Sequence, residues 1–194
     1  MTEPSIHSPS TVHAPGTAPG DATPYSDSYF KATHNSYMGG SRGTITDQLD
    51  AGVRFIELDL NDENFSKVHD YQIGHGLPGF QVDHSPGNPA SNDFTDWLRL
   101  IADWSLSHPG HAPITVGLDL KNDLAKKTSA ADGNLCALNE RVAESLGDLL
   151  FTSNELATLG NRWPAVSELT GPISKMLPSL RTAPGRTAAM AAST

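Results

Sequence analysis

The sequence is poor in cysteine and in basic residues, and each shortage excludes some kinds of structure or partner. Its 194 residues include one cysteine, so no disulfide bond can form within the chain. Lys and Arg number 13 against 22 Asp and Glu, which gives a formal charge of −9. Because nucleic-acid binding depends on neutralising phosphates with basic side chains, this balance argues against nucleic acid as a partner. A bound cation could still bring an anionic ligand to an acidic surface.

Long apolar runs are missing as well. No stretch approaches the ~20 apolar residues that a membrane-spanning helix needs. The first residues have neither the basic start nor the apolar centre of a secretory signal, so the sequence predicts no signal peptide and leaves the compartment open. Cys136 lies in an amphipathic stretch, which predicts a side chain packed in the core rather than a nucleophile.

The two ends of the chain differ in composition from its middle. Residues 1–24 are rich in Pro, Ser, Thr, Gly and Ala, which predicts a disordered N-terminal tail. Residues 172–194 are predicted to form an atypical, disordered C-terminal tail for the same reason. The apolar patterns lie in residues 25–171, where the sequence predicts one domain.

The middle of the chain alternates between strand and helix patterns. Val53–Leu60 and Ile114–Lys121 are typical of strands in a buried sheet. Apolar residues recur at helical spacing over residues 92–106, with Ser91 or Asn92 as the cap, and over Leu135–Leu150. Shorter elements are predicted as a strand over Tyr29–Thr33, a helix over Thr44–Ala51 and a weak strand over Tyr71–Gly74. This alternation predicts an α/β fold with parallel strands.

Acidic residues lie on one face of both long strands. Because side chains alternate between faces, Glu57 and Asp59 point the same way near the end of the first strand, and Asp119 has the matching place on the second. A solvated surface pair is the alternative, but the flanking Leu, Ile and Phe residues disfavour it. Burying like charges together is costly without a cation, so we expect the three carboxylates to converge around a bound cation.

His34 and Asn35 directly follow the first predicted strand. Histidine is the usual general acid or base near neutral pH. The amide oxygen of Asn35 would add a neutral ligand to the three carboxylates. An all-oxygen shell suits Ca²⁺ or Mg²⁺ rather than Zn²⁺.

Three segments carry these residues in a characteristic order. They are Ala32–Tyr37 with its His-Asn pair, Gln48–Asp59 with a helix, a Gly turn and Glu-x-Asp, and Pro113–Asp119 with a further acidic residue. Together they resemble motifs of the phosphatidylinositol-specific phospholipase C superfamily. The stretch from Trp104 to Lys121 is most similar to the bacterial calcium-dependent branch. The resemblance covers roughly residues 28–170 and implies a TIM-type β/α barrel.

The resemblance also implies a chemistry and roles for particular residues. It implies a phosphoric diester hydrolase that cleaves a phosphoinositide or related phosphodiester by histidine acid-base catalysis, assisted by Ca²⁺ with Mg²⁺ as the alternative. Asn35, Glu57, Asp59 and Asp119 would hold the metal. His34 would be one catalytic histidine, and the second would be His75 or His84, with His75 preferred. Lys121 either contacts the substrate phosphate or is a solvated lysine at a strand end.

The sequence departs from a complete barrel near its end. Such a barrel typically needs about 250 residues, and the apolar run expected for a fifth strand is missing after Gly171. We therefore expect the N-terminal half of a barrel, cut short. Unpaired edges of its inner sheet would favour self-association.

Three functions stay open at this point. The first is the phospholipase, with a phospholipid or small phosphodiester substrate and peripheral membrane contact. The second is a glycerophosphodiester phosphodiesterase or sphingomyelinase D-like enzyme, which would share the early histidine and the Glu-x-Asp strand. The third is an inactive fragment that binds metal or associates with itself. Asn35 next to His34, together with the Asp119 strand, favours the first.

Overall fold

Strands and helices alternate in the computed structural model, which describes residues 22–170 and 175–182. The strands are β1 (Lys31–Thr33), β2 (Val53–Asn61), β3 (Gln72–Ile73), β4 (Ile114–Leu120) and β5 (Met176–Thr182). The helices are α1 (Ile45–Asp50), α2 (Phe65–Val68), α3 (Phe94–Ser107), α4 (Leu135–Leu146) and α5 (Ser153–Thr158). Single turns of 3₁₀ helix occupy several connections, including Ser36–Met38 after β1.

The strands form one sheet, in which β1, β2, β4 and β5 run parallel to one another. Its order is β1-β2-β4-β5, and β3 pairs with β2 outside this path. The register pairs Phe55 with Thr115 and Asp59 with Asp119. Because residues paired across neighbouring strands share a face, Asp59 and Asp119 lie side by side at the C-terminal ends of their strands. The predicted α/β class with parallel strands is confirmed.

The other face of the sheet holds the apolar core. Ile56, Leu58 and Leu60 of β2 are buried together with Val116 and Leu118 of β4. Helices α3 and α4 cover this face. Their fully or nearly fully buried side chains are Phe94, Trp97, Leu98, Ile101, Leu138 and Val142. In the described part of the chain, no helix is both long and apolar enough to cross a membrane.

Helix α3 begins later than the sequence predicted and takes its cap from a distant residue. Its N-cap position is Asp93, whose side chain makes no capping hydrogen bond. Instead, Asp70 Oδ2 accepts from the Thr95 backbone N–H at 3.1 Å and from the Thr95 hydroxyl at 2.6 Å. The expected caps at Ser91 or Asn92 were therefore wrong, because a residue far away in sequence supplies the acceptor.

The weak strand expected near Tyr71 is short and antiparallel. Leu60 pairs with Ile73, and Asn61 with Gln72. A parallel return needs a crossover of a dozen or more residues, and the connection from β2 is shorter than that. The chain therefore turns back through α2 and pairs antiparallel with the end of β2.

Part of the predicted disordered C-terminal tail forms strand β5 instead. It pairs with β4 along its whole length, from Ile114–Met176 to Leu120–Thr182. Met176 and Leu177 are buried. Pro178 obscures this strand in the sequence, because proline cannot donate to a ladder and is confined to edges or strand starts. The remaining predicted tail positions, 172–174 and 183–194, lie outside the described residues.

Two smaller expectations also change. Thr23 and Pro24, at the end of the predicted N-terminal tail, bond to the segment around Ala165, while residues 1–21 lie outside the described part. Cys136 is exposed rather than packed in the core. Helix α4 turns its neighbours Ala137 and Leu138 inward, so Cys136 faces solvent.

Candidate functional site

Three carboxylates meet where β2 and β4 end. One oxygen each of Glu57, Asp59 and Asp119 lies within 4.8 Å of the others. Glu57 is 2% exposed and Asp59 is 1% exposed, whereas Asp119 is partly buried. Like charges this close repel one another strongly when they are shielded from water. The cluster therefore needs positive charge nearby.

Asn35 reaches the cluster through a turn directly after β1. Its backbone is left-handed, with φ 48° and ψ 55°, a conformation that asparagine tolerates better than most residues. This turn lets the Asn35 N–H donate to Glu57 Oε2 at 2.9 Å. The neighbouring Ser36 hydroxyl accepts from the Glu57 N–H at 2.9 Å. The turn thus holds both the backbone and the side chain of Glu57.

Tyr37 links Asn35 to Asp59. Its hydroxyl lies 2.8 Å from Asp59 Oδ2 and 3.3 Å from Asn35 Oδ1. The single proton goes to the shorter contact, because a bond to a carboxylate is the stronger of the two. Burial and the hydrogen bond to Asp59 raise the pKa of Tyr37 far above its usual value, so the hydroxyl stays protonated. The sequence motif contained Ser36 and Tyr37, but nothing in the pattern assigned them these contacts.

Two histidines face the cluster from different loops. His34 Nε2 lies 3.4 Å from Glu57 Oε2, and its side chain is 75% exposed. His75 Nδ1 lies 3.7 Å from Asp59 Oδ2, and its side chain is 47% exposed. The Gly74 N–H donates to the Asp59 carbonyl at 3.3 Å, which holds the start of the His75 loop against β2. Both imidazoles can therefore meet a ligand from solvent beside the carboxylates.

His84 lies in a different environment. Its Nδ1 is 2.7 Å from the Pro89 carbonyl, and its Nε2 is 3.0 Å from Asn92 Oδ1. The ring also meets Trp97 edge-on at a centroid distance of 6.3 Å. These contacts hold both ring nitrogens within the loop before α3. Of the two candidates for a second histidine, His75 is the one beside Asp59.

Lys121 lies among the carboxylates rather than free in solvent. Its Nζ is 2.8 Å from Asp59 Oδ2 and 2.8 Å from Asp119 Oδ2. Partial burial lowers the pKa of Lys121, but hydrogen bonds to Asp119 and Asp59 outweigh this and leave the pKa raised. The ammonium therefore compensates part of the cluster's negative charge.

One buried atom shows that the donor set fits a divalent cation. Asp59 Oδ1 is buried and has no hydrogen-bond partner among the described residues. Leaving a buried carboxylate oxygen unsatisfied is costly, and such atoms are rare without an ion or water. Carboxylate and amide oxygens are the ligands that Ca²⁺ and Mg²⁺ prefer. Glu57, Asp59, Asp119 and Asn35 could hold such an ion.

Solved structures resemble the chain, although no protein-family model and no curated protein sequence matches it. One is a calcium-dependent phosphoinositol-specific phospholipase C from the Gram-negative bacterium Pseudomonas sp. Its second apo crystal form has a TM-score of 0.69 and 27% identity, over 86% of this chain and 60% of that one. Its myo-inositol complex has a TM-score of 0.67 and 27% identity, over 83% and 58%.

A more distant enzyme supports the fold alone. The calcium-dependent phosphatidylinositol-specific phospholipase C from Streptomyces antibioticus has a TM-score of 0.58 and 24% identity, over 78% of this chain and 51% of that one. The chain thus spans less than two thirds of the length of these structures. Its parallel α/β sheet corresponds to part of their TIM-type barrel. The chain therefore resembles the phosphatidylinositol-specific phospholipase C superfamily, and its bacterial calcium-dependent members in particular, as the sequence motifs indicated.

Proposed function

We propose that this chain carries the metal-binding and histidine-bearing part of a phosphoric diester hydrolase of the phospholipase C type. The observation that carries the proposal is the meeting of His34 and His75 at the Glu57, Asp59 and Asp119 cluster. Two exposed imidazoles beside a buried all-oxygen site are the parts that phosphodiester cleavage needs. The substrate is a phosphoinositide or a related phosphodiester.

The protein groups divide the chemistry between them. Ca²⁺ held by Asn35 and the three carboxylates would polarise the phosphoryl group and lower the pKa of the attacking hydroxyl. His34 and His75 move protons, one accepting from the attacking hydroxyl while the other donates to the leaving oxygen. Glu57 and Asp59 lie within 4 Å of these rings and orient them.

The loop that carries His75 supports contact with a membrane. Leu77 is 63% exposed and Phe80 is 54% exposed, and both follow His75 closely. Fully burying one such side chain is worth roughly 1.5–3 kcal/mol. Insertion of both into the interfacial region of a bilayer would bring the two histidines to a phospholipid head group.

A turnover assay tests the proposed reaction. The chain is incubated with vesicles that contain phosphatidylinositol and sphingomyelin, with glycerophosphocholine in solution, in Ca²⁺ or in EDTA, and the water-soluble products are identified. We expect a cyclic inositol phosphate that depends on Ca²⁺ and is lost in His34→Ala. Free choline or glycerophosphate would instead indicate the glycerophosphodiester phosphodiesterase or sphingomyelinase D-like alternative. A folded chain that binds Ca²⁺ but turns over no phosphodiester would contradict both enzymes.

A second candidate is a protein that binds a metal ion without turnover, which the Glu57, Asp59 and Asp119 cluster alone would support. This chain corresponds to 58% and 60% of the two Pseudomonas structures. Two chains could also associate through the edges of the described sheet at β1 and β5. Calorimetry with Ca²⁺ beside the turnover assay separates this candidate from the enzyme. Sedimentation of the chain tests the self-association.

A further inference from the structure

Lys121 places its ammonium between two carboxylates of the cluster. Its Nζ is 2.8 Å from one oxygen of Asp59 and 2.8 Å from one oxygen of Asp119. The Lys121 backbone N–H donates to the Leu60 carbonyl at 2.9 Å, which fixes the base of the side chain at the end of the sheet. The ammonium therefore reaches back over the ends of β2 and β4.

The two oxygens of Asp59 differ in their partners. Oδ2 accepts from Tyr37 at 2.8 Å and from Lys121, whereas the buried Oδ1 has no partner among the described residues. A divalent cation held by Asp59 and Asp119 would share these two carboxylates with the ammonium. Two positive charges that share a carboxylate repel each other strongly in a partly desolvated site. Lys121 and a divalent cation would therefore compete for the same carboxylates.

The Lys121 ammonium can also move away from the carboxylates toward solvent. Its side chain is 23% exposed, so the ammonium is next to solvent. A lysine stem is long and flexible, and its charge acts without a fixed geometry. Once released, the ammonium stays beside the site and can pair with a phosphate there. One side chain could thus neutralise the carboxylates in the absence of metal and bind the anionic substrate in its presence.

We propose that Lys121 is a resident counter-cation that competes with a divalent cation for Asp59 and Asp119 and weakens its binding. This inference rests on the proposed function, because it takes the cluster to be a divalent-cation site. It adds that metal affinity is set by a basic side chain of this chain as well as by its oxygen ligands. It also links metal binding to the release of a phosphate-binding group.

Calorimetric titration with Ca²⁺ tests the competition directly. Lys121→Met keeps the length of the stem and removes the charge. Lys126→Met is the matched control, since Lys126 is 80% exposed and pairs with Asp123 instead. We expect Lys121→Met to bind Ca²⁺ at least tenfold more tightly than the unchanged chain, and Lys126→Met to bind it equally. Lys121→Met should also melt at a lower temperature in EDTA and recover in Ca²⁺.

Chemical labelling of the unchanged chain gives a second readout that needs no variant. An amine-reactive ester is added with and without saturating Ca²⁺, and the modification of each lysine is followed by mass spectrometry. We expect Ca²⁺ to increase the labelling rate of Lys121 several-fold relative to Lys126. If Lys121→Met does not fold, this experiment decides.

The outcomes separate this inference from the proposed function. Ca²⁺ binding that is equal or weaker in Lys121→Met, or labelling of Lys121 that Ca²⁺ does not change, overturns the resident cation and leaves the metal site standing. An absence of Ca²⁺ binding in both proteins overturns both proposals. Binding that is detected only in Lys121→Met supports the competition in its strongest form.

Discussion

Tyr37→Phe isolates the hydrogen bond that connects the β1 turn to the carboxylates. Tyr37 is completely buried, and its hydroxyl lies 2.8 Å from Asp59 Oδ2. Phenylalanine fills nearly the same space, so packing changes little. The variant leaves a buried carboxylate without one of its donors. The loss of a hydrogen bond to a charged group costs about 1.5–3 kcal/mol of unfolding free energy.

Urea unfolding in EDTA measures this cost. With a slope of about 2 kcal/mol per molar urea, the expected loss lowers the midpoint by roughly 0.75–1.5 M. Tyr29→Phe is the control, because Tyr29 is 83% exposed and should leave the midpoint unchanged. The slope should be the same in both variants. A midpoint for Tyr37→Phe that equals that of the unchanged chain would refute the role of this hydroxyl in stabilising Asp59.

Three further predictions concern other parts of the chain. Asp70→Ala removes the acceptor at the start of α3 and should cost about 0.5–2 kcal/mol in urea unfolding, whereas a cost equal to that of exposed Asp103→Ala would argue against the cap. Burial lowers the pKa of His111, so the folded chain favours neutral imidazole. Its contribution is therefore complete above the unfolded pKa of about 6.5 and is lost as pH falls through the lower folded value; His111→Gln should flatten the fall in stability from pH 7 to 5, and an unchanged profile would contradict this. Leu77→Ser with Phe80→Ser should weaken co-sedimentation with vesicles, whereas exposed Leu159→Ser should not, and equal losses would count against the loop.

Strand alternation carried the prediction of the carboxylate cluster. Side chains two apart on β2 must share a face, which joins Glu57 to Asp59 without any knowledge of the fold. Asp119 joins them only because β4 lies next to β2 in a register that pairs Asp59 with Asp119. The sequence predicted this meeting from the cost of burying like charges without a cation, and the resemblance to a known family agreed with it.

The contacts of long or distant side chains could not be predicted in this way. Lys121 shares a strand end with Asp119, but the direction of a flexible stem depends on what surrounds it. Asp70 caps a helix whose first turn lies 25 residues further on, and no local pattern records such a pairing. Cys136 shows a third limit, since an error of one residue in helical phase moves a side chain from the core to solvent.

The two candidate histidines differ because the chain turns back after β2. The sequence predicted only a weak strand near Tyr71. It therefore did not decide whether His75 or His84 lies beside the carboxylates. The antiparallel pairing of Leu60 with Ile73 runs the chain backwards along β2, so the residues after Ile73 pass beside Asp59. His75 therefore arrives at the cluster two residues after the last paired position, while the chain beyond it moves away toward α3 and takes His84 with it. A parallel β3 would have carried His75 away from Asp59, so the direction of this two-residue strand determines which imidazole lies beside Asp59.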